Sequence, residues 1–261
     1  MRIRATVAAV SGALALTAFV APAAHAAGTT TLAVTFSSVQ VNGGKAVVVP
    51  ATGSVKFSIT YKVTHAASLK SSDFFTVPVI YHGSAIKSAE YGVAPSDLAS
   101  CTSTSSTVES CKATLSAGHD DVVNSVAGTW QAGGIAFDKN GNPAVFANNL
   151  GKVSVQRLSK LTVNAAPEPV KKGRTVTVTG SLTRANWETN KYGGYAGQSV
   201  KLQFRKKGSS TYTTLKTVTS SSTGALKTTT TATVDGYYRY SFAGTSTTPA
   251  VSATGDYVDV Q

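Results

Sequence analysis

Strict alternation of apolar and polar residues constrains this chain more than any other feature. In "TVTVTGSL", Val176, Val178 and Leu182 share one side of an extended backbone and the threonines take the other. In "SVKLQFRKK", Val200, Leu202 and Phe204 alternate with Lys201, Gln203 and Arg205. In "GYYRYSFAG", Tyr238, Tyr240 and Phe242 alternate with Tyr237, Arg239 and Ser241. Successive side chains of a strand point to opposite faces, so each run reads as a strand with one face buried and one in water. Thr, Val and Tyr enrich these runs, and Gly, Ser, Asn and Pro punctuate them at short intervals. Beyond the first 26 residues no segment has a long helical period; "APSDLAS" (94–100) has room for one turn, capped by Ser96 or Asp97. The pattern predicts an all-β chain arranged as sandwiches.

The first 26 residues obey different rules. Arg2 and Arg4 open a short apolar stretch, "ATVAAVSGALALTAFVAP", that ends in the small-residue box Ala24-His25-Ala26. This is the layout of a signal peptide, cut before Ala27. Ser11, Gly12 and Pro22 inside the stretch argue against a membrane anchor. The mature chain of 235 residues, with no transmembrane segment expected in it, is long enough for two ordinary domains.

The domain joint falls in "VQRLSKLTVNAAPEPVKKGRT", where one strand closes, "KLTVNA" opens another, and Pro167 and Pro169 interrupt the chain directly after it. The expected division is 28–158 and 159–261. A weak echo links the parts: "GTWQAGGIAF" (Gly128, Trp130) and "GYYRYSF" (Gly236, Tyr238) both place Gly-x-aromatic at the start of a late strand. Without Arg2 and Arg4 the net charge is +10, of which +7 lies beyond Lys160. A surplus of this size attracts polyanions over long range. For an exported protein the corresponding partners are anionic cell-wall polymers rather than nucleic acid; a basic, soluble surface with no partner explains the same charge.

Residues 159–261, with "LTVNAAPEPVKKGRTVTVTGSLTRANWETNKY", "KLQFRKKGSSTYTTLKTV" and "GYYRYSFAGTSTTPAVSATGDYVDV", resemble the Ig-like domain that recurs in secreted, Streptomyces-like actinobacterial proteins. The first part resembles bacterial Ig-like modules more loosely, through "GTW…AFDKNGN" before its last strand. The resemblance implies two tandem immunoglobulin-like β-sandwiches and an extracellular location. It implies no catalytic residues.

Several motifs invite a sharper reading. Asp138, Asn140 and Asn142 in "DKNGNP" occupy alternate positions like the first ligands of a calcium loop, but position six is Pro143 and position twelve is Asn149. The obligatory Gly and the bidentate Glu are both missing. Asn140-Gly141 predicts a two-residue type I′ hairpin turn instead, and no metal. Cys101 and Cys111, the two cysteines of the chain, bracket "TSTSSTVES" and in an exported protein predict one local disulfide. No His belongs to a metal or catalytic pattern, Ser84-Ala-Ile-Lys87 follows a strand rather than opening a helix, and His119-Asp120-Asp121 reads as a turn. No catalytic residue and no cofactor is expected. Arg205-Lys206-Lys207 reads as solvated hairpin charge.

The long connection "TRANWETNKYGGYAGQ" (183–198) sets Trp187, Tyr192 and Tyr195 among Arg184, Asn186, Glu188 and Lys191. Ring faces flanked by hydrogen-bonding groups suit a sugar platform. The same residues also suit a structural end cap, since a large aromatic ring is costly to leave in water. The sequence therefore predicts a secreted, non-enzymatic binding or structural protein, extracellular or associated with the cell wall. One alternative is a glycan- or wall-polymer-binding module using Arg184, Trp187, Tyr192 and Tyr195. The other is an unrecognised extracellular hydrolase. Partners would be anionic wall polymers, glycans or another extracellular protein.

Overall fold

Each alternating run forms the strand its period demands. In the computed structural model, which describes residues 32–261, they become Thr175–Asn186, Ser199–Lys206 and Gly236–Phe242. Val176, Val178, Leu182, Val200, Leu202 and Tyr240 are fully buried, while Lys201 stays in water. The leader expected over 1–26 lies outside the described residues.

The chain folds as two compact units. One takes the described residues up to Lys45 with 56–116 and 130–153; the other takes 46–55, 117–129 and 154–261. The sheet orders have the immunoglobulin-like form. Val34–Val41, Ser54–His65, Val108–Gly118 and Ser100–Ser103 make a four-stranded sheet in that order. Val47–Val49, Pro143–Arg157, Gly128–Asp138, Phe74–His82 and Tyr91–Val93 make a five-stranded one, its first pair parallel. Later in the chain, Ser159–Leu161, Asn164–Ala166, Lys191–Gly194 and Ala225–Thr231 all pair with Thr175–Asn186. The last sheet runs Thr213–Thr219, Ser199–Lys206, Gly236–Phe242, with Val251–Ser252 and Asp256–Val258 both on the far edge of Gly236–Phe242. In the first half Ser54–His65 pairs with Val108–Gly118 while Phe74–His82 pairs with Gly128–Asp138, and in the second Thr175–Asn186 pairs with Ala225–Thr231 while Ser199–Lys206 pairs with Gly236–Phe242, the Greek-key exchange of an Ig-type sandwich. The fold is all-β, in two tandem Ig-like sandwiches.

The Gly-x-aromatic echo marks equivalent strands, and each glycine has its own reason. A Cβ on Gly236 would run into the Phe204 ring, and Gly128 holds φ +132°, a conformation side chains resist. Trp130 and Tyr238, two residues on, are both buried. Each core also ties a buried tyrosine across its two sheets. Tyr61 and Thr76 share a hydrogen bond of 2.9 Å between their hydroxyls, and Tyr240 donates to the Val178 carbonyl at 2.9 Å. Burial pushes both phenols up to about 12. A buried hydroxyl without a partner would cost about 1–3 kcal/mol, so these bonds fix how the sheets face one another.

Two local expectations fail. The turn of helix expected at 94–100 is absent; Pro95 instead bridges Leu115. The Asn140-Gly141 corner is not type I′. Gly141 N–H donates to the Asp138 carbonyl, Asp138 N–H donates to that of Asn142, and Gly141 alone has positive φ, at +84°. This is a three-residue connection, a type I turn followed by a glycine bulge. Asp138 selects it: its carboxylate accepts the N–H groups of Asn140 and Asn142 and the Asn142 side-chain amide, each at 2.9 Å.

Candidate functional site

The Asp138 corner is organised around its own carboxylate rather than around a cation. Its carboxyl is held below the usual range, first by the Asn142 side chain and then by the Asn142 amide. His119 and Asp121 are likewise engaged in a turn: Asp121 accepts the Gly118 N–H at 2.7 Å and His119 lies 3.2 Å from Asp120. Lys87 of the Ser84 motif sits over the Phe146 ring, 4.4 Å from its centre. Cys101 and Cys111 form the expected disulfide, joining facing positions of Ser100–Ser103 and Val108–Gly118.

The four residues of the expected platform come close together, but not as an open surface. Trp187 is 3% exposed; its indole N–H donates to the Val49 carbonyl at 3.3 Å and its backbone N–H to Asn124 Oδ1 at 3.1 Å. Asn124 further donates its side-chain amide to Asn186 and its backbone N–H to Glu188. The loop thus binds segments 46–55 and 117–129 into the second unit. Tyr195 is 9% exposed, packed edge-on against Phe242, with the Arg184 guanidinium 3.8 Å from its ring centre. Tyr192 is half-buried under Lys160, whose ammonium lies 3.7 Å from the ring centre. Arg157, buried beside them, donates to the Ala185 carbonyl; burial first, then the Arg184 charge, lowers its guanidinium to about 10. A sugar ring needs an accessible aromatic face. Trp187 and Tyr195 offer none and act as an internal clamp, which leaves only the half-buried Arg184 and Tyr192 of the expected platform at the surface.

Three half-buried tyrosines, Tyr212, Tyr237 and Tyr257, meet cations on another face of the same unit. Strand register sets Arg205 opposite Tyr237 and Tyr237 opposite Tyr257, with Gln203 opposite Arg239 and Lys201 opposite Ser241 in the next rows. With Val200, Leu202, Tyr238 and Tyr240 turned into the core, these residues share the outer face. The Arg205 guanidinium lies 4.1 Å from the Tyr237 ring centre and 5.3 Å from that of Tyr212. Arg239 lies 3.7 Å from the centre of Tyr212 and donates its Nε–H to Gln203 Oε1 at 2.8 Å. Tyr237 and Tyr257 meet at 5.2 Å.

One corner of this ladder is locked by Asp235. Its carboxylate accepts the Val260 N–H at 2.9 Å, the Tyr257 hydroxyl at 3.1 Å and Lys207 at 3.4 Å. These bonds, the Val260 amide first, hold the carboxyl below its usual range. Lys207 is pushed up by its hydrogen bond to Tyr257 and then by Asp235. The other end opens into a shallow hollow of about 300 Å³ lined by Ser199, Lys201, Gln203 and Ser241 among others. Each stacked cation contributes about 0.5–1 kcal/mol and restrains its neighbours. The result is a row of half-buried rings, guanidinium groups and hydroxyls on one sheet face. Such an array can hold phosphate or carboxylate groups through arginine and stack the C–H faces of sugars on tyrosine. The outer-face letters were readable as polar alternates; their pairing was not, because Tyr212, Tyr237 and Tyr257 arrive from separate segments of the chain.

No protein-family model matches the sequence, and no curated protein matches it either. Among solved structures the chain is similar to the fibronectin(III)-like modules of Clostridium thermocellum CbhA, at 14% identity over 85% of this chain and 92% of that one, with a TM-score of 0.30. It is also similar to the D00-D0 domain of Intimin, at 14% identity over 86% and 99%, TM-score 0.28, and to the Yersinia pseudotuberculosis adhesin InvE, at 15% identity over 88% and 59%, TM-score 0.26. Superpositions this loose carry no argument, and the Ig-like fold of this chain rests on its own strand order.

Proposed function

We propose that this chain is an exported, non-enzymatic binding protein that holds anionic cell-wall polymers on the outer sheet face of its second unit. In this reading the leader over 1–26 is removed, 28–158 and 159–261 are the two domains, and the protein works outside the cell, as do the secreted actinobacterial proteins that its second half resembles. The observation that carries the reading is the row Arg205–Tyr237–Tyr257 flanked by Arg239 and Lys201. It combines charge for phosphates or carboxylates with ring faces for sugars. The +7 balance beyond Lys160 supports it by drawing a polyanion toward this half of the chain.

The test is a binding titration with purified teichoic-type polymer at low and physiological salt. Charge acting alone gives binding that fades as salt screens it, whereas stacking leaves a part that persists. Arg205→Glu with Arg239→Glu is expected to abolish binding at both salts, and Tyr237→Ala to remove the persistent part. Equal binding to a duplex DNA competitor would show unselective polyanion attraction instead. No binding at low salt would leave a structural role in its place.

A further inference from the structure

The first unit contains a buried carboxylate, one oxygen of which has no hydrogen-bond partner among the described residues. Strand Val108–Gly118 turns Cys111, Ala113, Leu115 and Ala117 into the core, as its alternation requires, yet Glu109 takes the first core-facing position. Glu109 is 5% exposed, and its Oε1 has no hydrogen-bond partner among the described residues. Tyr61 and Thr76, whose hydroxyls share a bond of 2.9 Å, do not supply that oxygen with a partner. Leaving a carboxylate oxygen dry and unpaired is among the costlier choices a core can make. What Glu109 does face is sulfur. One carboxylate oxygen and the two sulfur atoms of Cys101 and Cys111 all lie within 4.8 Å of one another.

We propose that Cys101, Cys111 and Glu109 form a redox-gated site for a soft divalent cation such as Zn²⁺ or Co²⁺. The disulfide present here is the closed state. Opening it needs an external reductant, a phosphine or a dithiol. With a phosphine, the S–S bond breaks, the phosphorus is oxidised to a phosphine oxide by taking an oxygen from water, and the two protons of that water go to the sulfurs as two thiols. Cation binding then releases a proton from each thiol to solvent and gives two thiolates and one carboxylate around the metal, with a fourth position left for water. Thiolates select soft cations over Mg²⁺ or Ca²⁺. The geometry is favourable because the sulfurs sit at facing positions of paired strands, and Glu109 precedes Cys111 by two residues on one face of the same strand. Cys101 is exposed and supplies the way in. The cation would join the strands that the disulfide joins, so one clasp replaces another.

The sequence places Cys101 and Cys111 as a disulfide and provides no further cysteine or motif-borne histidine for a metal; the third ligand becomes visible only when Glu109 is seen to be buried. The experiment uses the full mature protein reduced with a phosphine, which does not itself compete strongly for metal, and titrated with Co²⁺. Reduced protein is expected to develop thiolate-to-cobalt charge-transfer absorption at one equivalent and to regain the melting temperature lost on reduction. Oxidised protein and Cys101→Ser with Cys111→Ser are expected to show neither. Glu109→Gln, close in shape, is expected to weaken binding about 10- to 100-fold while keeping the reduced protein's circular dichroism. Unchanged affinity in Glu109→Gln, absorption without thiolate character, or loss of the fold on reduction with no recovery on adding metal would each overturn the proposal.

Discussion

Two places in the second unit bring tyrosines against cations, and they do opposite things. In the 183–198 loop the aromatic residues are neighbours in sequence, and the fold turns them inward: Trp187 reaches the Val49 carbonyl and Tyr195 packs on Phe242 under Arg184. On the outer sheet face the residues are scattered through the sequence, and strand register gathers them outward, with Arg205 between Tyr237 and Tyr212. The difference lies in what surrounds each ring. A long connection between strands has backbone polar groups and sandwich ends to cover, and large rings are the cheapest cover. A sheet face already closed on its inner side has no such demand, so its alternate side chains stay on the outer face. Density of aromatics along a sequence is therefore a poor guide to which rings reach the outer face, and register across strands is a better one.

The largest effect that would sharpen this contrast comes from Trp187→Ala. Removing a buried indole is expected to cost about 3–5 kcal/mol, read as a shift of the denaturant midpoint. A loss below about 1 kcal/mol would mean that Trp187 is not core and would revive the platform. Asn124→Ala should rank next at about 1–2 kcal/mol, since it removes the acceptor for the Trp187 N–H and the partner of Asn186. Tyr237→Ala, on the outer face, should cost less than about 1.5 kcal/mol and leave the circular dichroism native. If Tyr237→Ala proved as damaging as Trp187→Ala, the two regions would not differ in the way described.

The smallest effect concerns pH. Asp235 is held below its unfolded value of 3.8, so its contribution is complete above that value and fades as pH falls through the lower folded one. Acid should loosen the Tyr257 and Lys207 end of the ladder first, and Asp235→Asn should flatten the acid limb of stability while lowering stability at neutral pH. An unchanged acid limb in Asp235→Asn would show that the clasp contributes nothing.

Most of the fold was legible because alternation is a local property. The core positions of Thr175–Asn186, Ser199–Lys206 and Gly236–Phe242 emerge from alternation, and the bridge between Cys101 and Cys111 from two neighbouring cysteines behind an expected export leader. What the sequence hides is whatever depends on distant partners. The Asp138 corner was legible as a hairpin, but its turn type depends on the carboxylate folding back onto Asn140 and Asn142. Arg205-Lys206-Lys207 looks solvated until Tyr237 and Tyr257 are placed beside it, and Glu109 looks like one more polar residue near a loop until it is seen to be buried. The place of Trp187 is hidden for another reason: an exposed platform and an end cap share one composition.

Oxidative footprinting with and without anionic wall polymer, read residue by residue by mass spectrometry, compares the two regions in one experiment. Tyr212, Tyr237 and Tyr257 are expected to be modified in the free protein and protected by polymer, while Trp187 and Tyr195 resist modification in both states. Ready modification of Trp187 in the free protein, with polymer protecting it and not Tyr237, would contradict a binding face on the outer sheet.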